Sequence, residues 1–71
     1  MDPTPEETKA INSLKRLAKK WPDNLWLYSA SGTLFVMRKG ENGERVHKGE
    51  GVDPDYILDS IDGIDNDGGD W

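Results

Sequence analysis

Leu25-Trp-Leu-Tyr-Ser-Ala-Ser-Gly-Thr-Leu-Phe-Val-Met-Arg38 is the densest apolar stretch of the chain, and any core must be assembled around it. Two runs rich in aromatic, β-branched and aliphatic residues flank Ala30-Ser31-Gly32, and a short glycine-containing connection between such runs predicts a β-hairpin. Loop length sets the register, and the register decides which side chains share a face. With Ala30-Ser31-Gly32 as a three-residue loop, Ser29 stands opposite Thr33, Leu27 opposite Phe35 and Leu25 opposite Met37. A two-residue Ser31-Gly32 turn exchanges the faces of the first strand and carries Trp26 and Tyr28 to the core side. The longer loop is favoured because it gathers the aliphatic residues together.

Gly40-Glu-Asn-Gly43 is a second turn signal, and Glu44 to Lys48, centred on Val46, reads as a short third strand whose charges suit a sheet edge. A four-residue loop there sets Val46 beside Met37 and Arg45 beside Arg38. The expected core face is Leu25, Leu27, Phe35, Met37 and Val46. The opposite face carries Trp26, Tyr28, Leu34, Val36, Arg38, Arg45 and His47. That mixture of aromatics and cations is a candidate interaction surface if open, or the bed of a second helix if covered.

Helices are expected on both sides of this meander. Thr4 followed by Glu7 is a capping-box pattern with Pro5 at the first helical position. Ala10, Ile11, Leu14, Leu17, Ala18 and Trp21 then follow the three-and-four spacing of one apolar stripe, expected to pack on the hairpin, until Pro22 ends the helix. Asp53 as N-cap and Pro54 as first helical residue predict a second helix to Ile61, with Gly63 as its stop. The expected fold class is α+β: a single α-β-β-β-α domain over residues 1–63, with a three-stranded antiparallel meander and an acidic C-terminal tail over 64–71.

The 71 residues are near the lower limit for a domain that folds alone without disulfides or metal. A pocket of several hundred Å³ would remove much of so small a core, which argues against an enzyme. The absence of cysteine fits an intracellular protein, and no apolar run approaches the roughly 20 residues of a membrane span. With an acidic, proline-containing start that does not read as a signal peptide, a cytoplasmic location and no membrane partner are expected. The net charge of −5 conceals a gradient, because residues 50–71 hold eight acids and no Lys or Arg. Such asymmetry suggests a tail with interactions of its own.

No catalytic or cofactor signature is legible. His47 is the only histidine, and with no cysteine it does not predict a metal site. The run Asp62-Gly-Ile-Asp-Asn-Asp-Gly-Gly-Asp70 invites a calcium reading, but aligning Gly68 at the sixth position of an EF-hand loop puts Gly63 at the first and leaves no twelfth-position Glu. Nucleic acid is a second option, through Lys15, Arg16, Lys19 and Lys20 and through base stacking on Trp26 and Tyr28 beside Arg38 and Arg45. A pI near 4.6 opposes it. A protein partner is therefore preferred, met by Trp26, Tyr28, Arg38, Arg45 and His47 on the sheet and by Asp65, Asp67, Asp70 and Trp71 in the tail.

Leu14-Lys-Arg-Leu-Ala-Lys-Lys-Trp-Pro-Asp-Asn-Leu-Trp-Leu27 and the ending Asn66-Asp-Gly-Gly-Asp-Trp71 resemble small accessory proteins encoded by phages and prophages. Acids followed by a terminal aromatic are also similar to the partner-recruiting tails of single-stranded-DNA-binding proteins. The first resemblance carries no activity with it and the second implies partner recruitment; with the small size and the missing catalytic motifs, the expected function is a non-enzymatic protein-binding module, of the kind a phage accessory protein would use to modulate a host factor.

Overall fold

The computed structural model describes residues 1–49 and 51–68. Pro5–Lys20 forms the helix α1, opened by the expected capping box: Thr4 N–H donates to Glu7 Oε1 at 2.8 Å and Glu7 N–H to Thr4 Oγ1 at 3.2 Å. Glu6 and Glu7 in the first turn and Lys19 and Lys20 in the last complement the helix dipole. The helix ends at Trp21, which takes extended geometry before Pro22 and donates its indole N–H to Leu25 O at 3.0 Å. No residue of α1 is buried. The expectation that its apolar stripe is buried on the hairpin is not met: the Trp21 to Leu25 bond and Pro22 hold the helix end beside the first strand, but Leu14, Leu17 and Ala18 face Leu25 and Leu27 across an open groove without being buried.

The hairpin is present, as β1 (Leu25–Ala30) and β2 (Thr33–Arg38). Its register corrects the preferred loop. Ala30 pairs with Thr33, Tyr28 with Phe35 and Trp26 with Met37, so Ser31 and Gly32 alone make the turn. Their φ values of 51° and 82° are those of a type I′ turn, whose twist matches that of the flanking strands, an advantage that outweighs the strain of Ser31. Trp26, Tyr28 and Ala30 therefore share a face with Phe35 and Met37. Trp26, Ala30 and Met37 are the buried core, with Met37 wholly inaccessible. Leu25 and Leu27 go to the other face, with Leu34, Val36 and Arg38. The expected core set of Leu25, Leu27, Phe35, Met37 and Val46 does not form. Gly32→Val should cost about 1–2 kcal/mol in a denaturant titration, the penalty of a β-branched residue held at positive φ.

The rest of the predicted meander differs in the third strand. Glu44 to Lys48 does not join the sheet. Gly40 N–H bonds Glu44 O at 2.8 Å and closes the Gly40–Gly43 turn, after which only β3 (His47–Lys48) pairs, with β4 (Gly51–Val52), in a separate two-stranded ribbon. The second helix is also replaced. Asp53 caps as expected, accepting from Asp55 N–H at 2.9 Å, but only a single 3-10 turn, Pro54–Tyr56, follows. The chain then extends as β5 (Ile57–Ile61) and pairs antiparallel with β2, giving the sheet order β1-β2-β5. An unpaired β2 edge needs partners for its backbone groups. Ile57, Leu58 and Ile61 suit a strand, and Asp59 and Ser60 disfavour a helix interior through local bonds, such as Ser60 N–H to Asp59 Oδ1 at 2.8 Å. The β2–β5 register shifts between Val36 and Met37, where Leu58 is the extra residue.

Beyond β5, Thr33 Oγ1 donates to Asp62 Oδ1 at 3.0 Å and the chain returns to the hairpin turn. Ser31 N–H bonds Gly68 O at 2.6 Å, and Asn66 Nδ2 donates to Gly32 O at 3.1 Å. The segment 64–68 docks through polar atoms, which apolar periodicity does not report. Gly68 has φ 65°, and a Cβ there would lie 3.2 Å from Gly32 N.

Candidate protein-binding surface

Trp26 and Tyr28 meet edge to face, with ring centroids 5.8 Å apart, and the Arg45 guanidinium lies 4.8 Å from the Trp26 ring centroid. Three of the expected site residues thus meet through their side chains, while His47 adjoins them only along the chain, its Nδ1 3.0 Å from the backbone O of Arg45. Of these only Trp26 is buried, while Arg45 and His47 are exposed. Trp26 is buried, its indole N–H has no acceptor among the described residues, and Arg45 covers it. This corner closes the core through a cation–π contact, with the Arg stem as cover. Arg45→Ala should cost about 1 kcal/mol and move the Trp26 indole resonance in a two-dimensional NMR spectrum; an unmoved resonance would contradict the contact.

The other expected residues do not join them. Arg38 is on the opposite face at the far end of β2, beside a hollow of about 500 Å³ shared with Lys39, Glu41 and Asp55. Asp67 accepts from Ser29 Oγ at 3.2 Å near the turn end of the hairpin, and Asp65 is exposed. Asp70 and Trp71 lie outside the described residues.

What sequence reasoning assigned to the core stands open instead. Along α1, Ile11, Leu14 and Leu17 are 43%, 63% and 49% exposed; on the sheet, Leu27 and Ile61 are 47% and 39% exposed. Leu14, Leu17, Ala18 and Trp21 form one wall of a groove of about 490 Å³, Leu25 and Leu27 the other, and Lys39 and Arg45 stand at its rim. Next to it β1 is a sheet edge. In a hairpin with a two-residue turn the pairs flanking the turn exchange both hydrogen bonds, which aims the backbone groups of Leu27 outward. Two signals in the sequence pointed here: the Ser-Gly dipeptide, and an apolar content too small for a helix stripe and two sheet faces to be covered at once.

Among the described residues, no helix is long and apolar enough to cross a membrane, and no cluster of three His, Asp or Glu could hold a metal ion. No protein-family model, curated protein or solved structure matches the chain.

Proposed function

We propose that this chain is a non-enzymatic protein-binding module of the cytoplasm, of the kind that phage accessory proteins represent, which modulates a host factor by offering it the α1 stripe and the adjoining sheet face. The observation that carries this reading is a well-capped amphipathic helix with no buried residue. An isolated helix of this length is marginal in water, and most helices owe their stability to packing of the apolar face. A helix specified this well, with its apolar side in solvent, is half of an interface. The test is capture of partners from the source cell by the native chain and by a Leu14→Asp, Leu17→Asp chain that keeps the native circular dichroism; the same partners captured equally by both would refute the reading.

One observation favours a nucleic-acid alternative: Lys9, Lys15, Arg16, Lys19 and Lys20 are all exposed along α1. The eight acids of residues 50–71 compete with any polyanion for them. Titrated into labelled single-stranded or duplex DNA at physiological salt, the protein should bind more weakly than micromolar and lose binding as salt rises. Tighter, salt-resistant binding would favour the alternative.

A further inference from the structure

We propose that residues 62–68 are a strap that locks the register of the β1–β2 hairpin, and that its release lets β1 slip by one residue and exchange its two faces. Two registers compete for this strand. In the one observed, Ser31 and Gly32 alone form the turn, and Trp26, Tyr28 and Ala30 share the face of Met37. In the other, Ala30, Ser31 and Gly32 form a three-residue loop, Ser29 stands opposite Thr33, and Leu25 and Leu27 take the face of Met37. Both faces of β1 carry large apolar side chains, so alternation does not choose between them. Backbone preference is divided as well. Strand twist favours the two-residue turn, but that turn holds Ser31 at φ 51°, whereas the three-residue loop needs a left-handed residue only at its last position, where Gly32 already stands.

The strap touches both sides of the choice. Two of its hydrogen bonds hold it to the β2 side, which keeps its pairing with β5 in either register: Thr33 Oγ1 donates to Asp62 Oδ1 at 3.0 Å and Asn66 Nδ2 to Gly32 O at 3.1 Å. Two others meet β1 and the turn. Ser29 Oγ donates to Asp67 Oδ1 at 3.2 Å, and Ser31 N–H to Gly68 O at 2.6 Å. A one-residue slip carries the Ser29 hydroxyl to the opposite face, and the return of Ser31 to negative φ re-aims its N–H, so both of these bonds belong to the observed register alone. Thr33 lies on the face of Met37 and Ser29 on the other, so the strap passes over the turn from one face to the other. Its seat there is close: Gly68 has φ 65°, and a Cβ on it would lie 3.2 Å from Gly32 N. Slippage also withdraws Leu25 and Leu27 from the wall they form opposite Leu14 and Leu17. Control of the groove by the strap rests on the binding reading given above; the register does not, and it is measured without any partner.

Interstrand Hα–Hα contacts in NMR spectra read the register, because they join residues of non-hydrogen-bonded pairs, whose Cα atoms are about 4.5 Å apart. The native chain should show Leu27 with Val36 and Ser29 with Leu34. Asn66→Ala with Gly68→Val removes one anchor and crowds the seat of the strap. That chain should add a second set, Trp26 with Val36 and Tyr28 with Leu34, in about a tenth of the molecules or more, the level of a well-populated minor state. Asp67→Ala, which removes only the bond to Ser29, should add the same set in a smaller fraction. Ser31→Gly in the strap-released chain relieves the strain of the observed turn and should suppress the second set. Native contacts alone in the strap-released chain, or a second set that Ser31→Gly leaves unchanged, overturn the proposal. Should the strap-released chain fail to fold, Asp67→Ala decides, and native contacts alone there refute the lock. Either refutation leaves the binding reading of the groove standing.

Discussion

Met37→Ala will unfold a large part of the population. Among the described residues Met37 is the one side chain with no solvent access; it lies in β2, the central strand of the sheet, paired to Trp26 on one side and Ile57 on the other. Truncation of a fully buried Met costs about 2–5 kcal/mol through lost transfer energy and the cavity left behind. A domain of this size has only about 3–5 kcal/mol to lose. The cavity cannot collapse readily, since β1 and β5 clamp the position from both sides and Arg45 over Trp26 closes the adjoining corner. The midpoint of a urea titration is the measurement; a loss under about 1 kcal/mol, the scale of a surface change, would show that the core lies elsewhere.

The opposite pattern is expected for Leu14→Asp with Leu17→Asp. Both side chains are about half exposed or more, so a carboxylate in place of each leaves water where water already was, and monomer stability should change by less than about 1 kcal/mol. At an interface the same carboxylates would be desolvated without a partner. Central apolar anchors are worth about 2 kcal/mol or more each, so the pair should weaken association by at least about a hundredfold, at 1.4 kcal/mol per tenfold. Stability and association are thus predicted to separate: Met37 governs the first and the α1 stripe the second. Loss of the fold in the double variant would place α1 in the core.

Much of this was legible in the residues, and what was not has identifiable causes. The helix start was read from Thr4, Pro5 and Glu7 and its stop from Pro22, because caps are local chemistry that tertiary structure rarely overrides. The hairpin was legible for the same reason. Its register was not, since a three-residue and a two-residue loop differ only in whether Ser31 accepts positive φ, a strain of little weight beside the match of turn twist to strand twist. That single residue moved Trp26 and Tyr28 inward and Leu25 and Leu27 outward, and with them the whole assignment of core and surface. The segment Ile57–Ile61 misled because Asp53-Pro54 is a true helix start that lasts one turn. Beyond it the free edge of β2 competes for the backbone, a demand that comes from elsewhere in the chain. Of the expected site, Trp26, Tyr28 and Arg45 do meet, but aromatic–cation pairing reads alike in a sequence whether it faces a partner or covers a core.

The central claim is that the apolar stripe of α1 lies outside the monomer core, and thiol reactivity tests it most directly. Leu14→Cys and Ala30→Cys each place one thiol in a chain that otherwise has none, the first on the stripe and the second at a buried position where little volume is added. At the lowest workable protein concentration, Leu14→Cys should react with an alkylating reagent nearly as fast as it does in denaturant, while Ala30→Cys should be protected by orders of magnitude. If Leu14→Cys is protected as strongly as Ala30→Cys at the highest dilution, the helix is packed on its own sheet and the account is contradicted.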